Sequence, residues 1–205
     1  MTAPSRKLLR TALVAVLAAA LGAVLGAATV HRDDIATPIL SPMEIGFAQD
    51  MSAHHQQAVT MTDMLAADAS PDVKALAEQI RYTQLAEIGQ MTGWLQLVGA
   101  SPAAQQPMAW MTDHHTAHVG VQMGMPGMAT PAELTQLQHS TGHANEALFL
   151  ELMTRHHQGG ITMAAYAFQR ATGDAVRRAA SIMVAEQTEE IQIMTVMLDR
   201  LPRAR

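Results

Sequence analysis

The sequence predicts an all-α protein, an antiparallel four-helix bundle built from two repeated helical hairpins with a long Met/His-rich crossover connection. Three observations carry that expectation. The apolar content, 49% of 205 residues, comes mainly from Ala, Leu, Val and Met, with only 3% aromatics; Ala, Leu and Met stand high on the helix scale. The block MSAHHQQAVTM at residues 51–61 returns as MTRHHQGGITM at 153–163, 102 positions later. A second segment, VKALAEQIRYTQLAEIGQM at 73–91, returns as VRRAASIMVAEQTEEIQIM at 176–194, and both fit V-[KR]-x2-A-x2-[IM]-x3-Q-x2-E-I-x2-M. Each hairpin therefore carries His-His on its first helix and Q-x2-E on its second. Two such hairpins pack most simply as a bundle with one long crossover.

The elements follow in order. Residues 1–30 read as a signal peptide or an N-terminal membrane anchor: Arg6, Lys7 and Arg10 precede twenty uncharged residues, TALVAVLAAALGAVLGAATV. A cleaved signal has an apolar stretch of about 7–15 residues and a spanning helix about 20, so the length permits either. Residues 31–43 form a polar, proline-bearing linker. A bundle domain is expected over 44–201, with a first hairpin at 44–99, the connection at 100–130 and a second hairpin at 131–201. Its first helix runs from Glu44 to about Ala69. Ser70-Pro71-Asp72 makes a turn, with Pro suited to a first helical turn. The second helix spans Asp72 to Val98 and stops at Gly99. The connection is longer than most loops and leaves room for a short helix around 107–119. A third helix opens on the capping pattern Thr130-Pro131-Ala132-Glu133 and runs to Arg170, with a break near Gly142. The last helix follows Gly173-Asp174 and ends near Leu201.

Composition removes several function classes. There is no cysteine, so thiolate metal sites, disulfides and c-type haem attachment are excluded. The three charges of the first thirty residues are all basic, which leaves 10 Lys+Arg against 18 Asp+Glu beyond them. A surface near −8 does not suit nucleic acid and does suit cations.

The repeated blocks carry the chemistry. Met51 and His55 stand four apart, as do Asp50 and His54, while Met61 follows His54 by seven; residues at such spacings share a helix face. Met153, His156, His157 and Met163 repeat the arrangement. Adjacent histidines diverge by about 100°, so one ring of each pair is expected to turn inward with its neighbour at the margin. Imidazole nitrogen and thioether sulfur make a soft-to-borderline set that selects Cu(I), with silver or zinc as further candidates. Glu87 and Glu190 are placed to hold the far ring nitrogen of an inward histidine or to bind metal directly, and Asp50 is a further second partner. A methionine stripe also serves as plain core filler, which applies to Met64, Met183 and Met197.

The connection holds a second cluster, DHHTAHVGVQMGMPGM, with His114, His115 and His118 at helical spacing and Met123, Met125 and Met128 after them. Exposed methionines here suit a Cu(I) or Ag(I) transfer segment; the other reading is an apolar lid over the bundle end. His139 and His143 form an i,i+4 pair on the expected third helix.

Taken together, GFAQDMSAHHQQAVTM, EIGQMTGWL, MGMPGM, FLELMTRHHQGGITMA and EQTEEIQIM resemble the domain of unknown function 305 family, in order, over residues 44–200. The resemblance implies an exported, ferritin-like four-helix bundle. Some members bind copper or silver in extracytoplasmic metal handling. On matching positions it implies His54, His55, His156, His157, Met51, Met61, Met153, Met163 and the MGMPGM methionines as ligands. Glu146, where aspartate is usual, and Gly160, where alanine is more usual, depart from the pattern, and DHHTAH goes beyond it.

The reading is an exported Cu(I)/Ag(I)-binding protein for sequestration or delivery, without turnover, whose partners are the metal ion, an unidentified transfer protein and, through an uncleaved N-terminus, the membrane. A di-iron or dimanganese oxidoreductase wants two Glu-x-x-His motifs, and this chain has none. A structural, partner-binding bundle without metal is the third class.

Overall fold

The computed structural model describes residues 39–111 and 124–202, in five helices: α1 (Pro42–Asp63), α2 (Pro71–Leu97), α3 (Pro131–His139), α4 (Gly142–Arg170) and α5 (Asp174–Arg200). Among the described residues there is no strand. α1 packs on α2, α4 packs on α5, and the hairpins meet through α1 and α4, with short α3 against α4. The protein is thus an all-α bundle of two hairpins. Residues 1–30 and most of the linker lie outside the described residues, as do His114, His115, His118 and Met123. Among the described residues no helix is long and apolar enough to cross a membrane.

Local sequence sets most helix starts. Ser41 and Glu44 form a capping box at α1, and Thr130 and Glu133 form one at α3, each with Pro in the first turn. The starts of α2 and α5 are capped from across the bundle instead. Glu44 accepts from the backbone N–H of Gly173 at 2.7 Å, and Glu146 accepts from the backbone N–H of Ser70. Glu44 and Glu146 are themselves equivalent under the repeat. Burial works against both carboxylates, but the hydrogen bonds outweigh it and hold both below the usual range.

Two expectations about helix ends are corrected. α1 stops at Asp63, not near Ala69. Asn145, wholly buried on α4, takes the N–H of Ala66 at 2.8 Å and donates to the carbonyl of Met64 at 3.2 Å, diverting the backbone groups that a further turn would use. The 131–170 segment breaks as expected, but the break separates His139 from His143. His139 closes α3 on the carbonyl of Thr135, and His143, on the first turn of α4, bonds Glu146 at 2.9 Å. They stand on different helices and share no helix face. Residues 107–110 form a turn, so the short helix expected at 107–119 does not begin there; residues 112–119 lie outside the description.

The core has two apolar clusters, one towards each end of the bundle. Phe47, Met51, Met91, Met163 and Met183 belong to the first. Met61, Ile80, Phe149, Met153 and Met194 belong to the second. The repeat maps one set onto the other, with Ile80 standing where the other copy has Met183. Along α1 and α4 the histidine pairs lie between the two clusters.

Candidate metal centre

All four histidines of the repeated blocks are buried, each at most 1% exposed. The expectation of one inward and one marginal ring per pair is therefore corrected, and the reason lies in the packing. α1 packs on α2 and α4, and α4 packs on α1 and α5 as well as on short α3, so two residues about 100° apart both face protein. His54 faces α4 and His55 faces α2; His156 faces α1 and His157 faces α5. The four rings make one central group. Those of His54 and His156 stack at 3.8 Å between centroids, and the rings within each pair stand 6.3 Å apart at 54° in both copies.

Every Nε2 is engaged. His55 meets Glu87 and His157 meets Glu190, both at 2.7 Å. His156 donates to the carbonyl of His54 at 3.0 Å, and His54 donates to the carbonyl of Pro126 at 3.0 Å. A carbonyl only accepts, so the proton of His54 and of His156 sits on Nε2 and the lone pair on Nδ1. At His55 and His157 the carboxylate partner sets the tautomer, the proton lying on Nε2 when the carboxylate accepts. The Nδ1 atoms of His54, His55 and His157 are buried with no hydrogen-bond partner.

Burial is the main cause of the low basicity of His54, His55 and His156. It pushes His54 down to about 3, helped by neighbouring His55, and His55 down to about 3, helped by His157. His156 is also held well below its ordinary value by burial and its histidine neighbours. Burial, with repulsion from Glu190, raises Glu87 to about 7.

The remaining candidates fall in distinct places. Met51, Met61, Met153 and Met163 are fully buried. Because α1 and α4 run antiparallel, Met51 shares a cluster with Met163, and Met61 with Met153, across the hairpins. Met125 is half-buried against the Met51 cluster and so is not an exposed loop methionine; Met128 is half-buried too. Asp50 does not reach a histidine. Its carboxylate accepts from the N–H of Met108 at 2.6 Å and from the indole of Trp110 at 2.8 Å, anchoring the start of the connection. Desolvation raises its carboxyl against those two bonds.

The end of the connection is anchored on the centre itself. Gly127, at φ +79°, lies so close to α4 that a Cβ there would overlap the carbonyl of Arg155, and a Cβ on Gly159 would overlap the carbonyl of Pro126. This Gly-on-Gly approach delivers the Pro126 oxygen to His54. Gln57 adds a two-way clasp on Ala129, at 2.6 and 2.9 Å.

Sequence reasoning passed over Gln84 and Gln187, the Gln of each Q-x2-E. Both are buried, at 1% and 3% exposure, and Gln84 Oε1 and both amide atoms of Gln187 have no partner. Their repeated position was the available signal.

Fold and site together define a helical bundle with a buried, pseudo-twofold histidine and glutamate centre. The chain belongs to the family described as Domain of unknown function (DUF305), whose model matches residues 44–198. It is similar to a DUF305 protein from Streptomyces coelicolor described as secreted: 39% identity, 77% of this chain and 91% of that one, TM-score 0.69. A DUF305 fragment from Deinococcus radiodurans is 31% identical, over 79% of this chain and 99% of that one, with TM-score 0.66. CopM in its Cu(I)-bound form shares the fold at 22% identity, over 76% and 95% of the two chains, with TM-score 0.59. A search of curated proteins returns no match.

Proposed function

We propose that the chain is an exported metal-binding protein that holds Cu(I), or Ag(I) in its place, through imidazole and thioether donors at the bundle centre, for sequestration or delivery without turnover. The observation that carries this reading is the set of buried, unpartnered Nδ1 atoms of His54, His55 and His157. A buried acceptor without a donor is costly, and a cation relieves it. The far nitrogens of His55 and His157 rest on Glu87 and Glu190, the arrangement that orients a ligating imidazole and offsets the charge of the ion.

The choice of ion follows from the donors. Neutral imidazoles need no proton displaced at neutral pH, and thioethers suit Cu(I) and Ag(I). Met51 with Met163, and Met61 with Met153, flank the rings on either side as the thioether candidates. Among the described residues no three His, Asp or Glu side chains form a ready cage for one ion. CopM, a neighbour in fold, is seen with Cu(I) and with Cu(II), which supports copper as the ion. The basic-then-apolar N-terminus and the secreted relative support export.

The test is an anaerobic Cu(I) titration of the full chain against a coloured chelator, repeated with His54, His55, His156 and His157 changed to Ala and folding checked by circular dichroism. Bound copper should raise Tm, because it binds only the folded state, and the folded variant should lose stoichiometry or affinity. A folded variant that binds as the parent does would sink the central site.

A further inference from the structure

Three seams of the bundle are closed, α1 on α2, α1 on α4, and α4 on α5. The fourth is not. Between α2 and α5 lies an open cleft of about 590 Å³, lined from α2 by Ala86, Glu87 and Trp94 and from α5 by Arg178, Ala179 and Glu186 among others. Glu87 is the connection between this cleft and the centre. Its side chain is 13% exposed and lines the cleft, while its carboxylate holds His55, which is 0% exposed, at 2.7 Å. His55 in turn keeps a buried Nδ1 without a partner.

We propose that the α2/α5 cleft is the port by which a soft cation passes between solvent and the buried imidazoles, with exposed Glu186 receiving the ion ahead of Glu87. This rests on the metal-binding reading above and adds the route and its capturing residue. Glu186 and Glu87 line the same cleft from opposite helices, and Glu186 stands one turn before Glu190; burial and the neighbouring carboxylates of Glu87, Glu190 and Glu189 raise its carboxyl. Carboxylates at a cleft mouth raise the local concentration of cations and their association rates; Glu87 and Glu186 outnumber the one cation of the lining, Arg178.

Cu(I) uptake by the full chain from a coloured Cu(I)–chelator complex, followed anaerobically by stopped flow, tests the port. Glu186→Gln should slow uptake on the order of 3–10-fold at low salt with unchanged stoichiometry, and the difference should shrink at high ionic strength. Ala86→Phe, a change at an exposed wall position, should slow uptake and release together. Uptake at the parent rate in both variants overturns the port while parent binding leaves the metal-binding reading standing. A lost equivalent of copper in Glu186→Gln also overturns it, because Glu186 would then be a ligand and not a capture group. Absence of Cu(I) binding by the parent overturns both readings at once.

Discussion

The imidazole of His156 lies against that of His54, centroids 3.8 Å apart and planes 30° from parallel, and its Nε2–H donates to the carbonyl of His54 itself. Two rings in such contact, both buried, cannot both be charged. Folding therefore requires at least one of the two to be neutral.

That requirement predicts acid lability. The ordinary histidine value is 6.5, and burial takes His54 and His55 to about 3 in the folded chain, with His156 also well below. Their stability contribution is present above pH 6.5 and is lost progressively as pH falls towards 3, because the unfolded chain takes up protons first. Glu87 acts in the opposite sense. Raised from 4.5 to about 7, its contribution is present below 4.5 and lost as pH rises through 7. Three histidines act against one glutamate, so acidification from pH 6 to 4.5 is a net loss of stability. Urea midpoints of the metal-free protein at pH 7, 6 and 5 should fall steeply; a flat series would refute the neutral-histidine centre.

Adjacent glycines should respond unequally to alanine. At Gly159 the new Cβ overlaps the carbonyl of Pro126, backbone that cannot move without lifting the connection off His54. Gly159→Ala should cost about 1–3 kcal/mol. At Gly160 the obstacle is the end of the Gln187 side chain, which can rotate, and helix propensity returns up to about 1 kcal/mol. Gly160→Ala should stay within about 1 kcal/mol of the parent in chemical denaturation. Equal losses at both positions would contradict the assignment.

Gln187 places an amide in the core with neither atom partnered. Gln187→Leu removes that desolvation cost and should stabilise the metal-free chain by about 1–3 kcal/mol, read as a higher Tm. A lower Tm would mean that the amide has a satisfied role.

Asp50 ties Met108 and Trp110 to α1. Asp50→Ala leaves both donors without their acceptor and should cost about 1–3 kcal/mol. Trp110, 8% exposed and edge-on to Phe47 and Tyr166, should then shift its fluorescence to the red. An unchanged emission maximum would show that the aromatic contacts hold the connection without Asp50.

Much of this protein can be read locally. The repeat, the proline and capping-box starts, the break before Gly142 and the pairing of His-His helices with Q-x2-E helices are short-range signals, because caps, turns and helical faces depend on residues within one or two turns. Where α1 ended was not legible, because Asn145, distant in sequence, intercepts its last turn. Nor was the role of Asp50, which depends on Trp110 folding back across sixty residues.

The amino-acid order alone determined that two like hairpins exist and which residues ride on each. Tertiary structure alone decided that α1 and α4 are the inner helices. Only an inner helix has two packed faces, so only that choice buries both histidines of a pair, stacks His54 on His156 and sets Met51 beside the Met163 cluster. It also left α2 and α5 apart, with Glu87 between the cleft and the rings. Contacts of this kind follow from which faces meet, and a one-dimensional pattern that is the same in both hairpins does not specify which pair of helices lies inside.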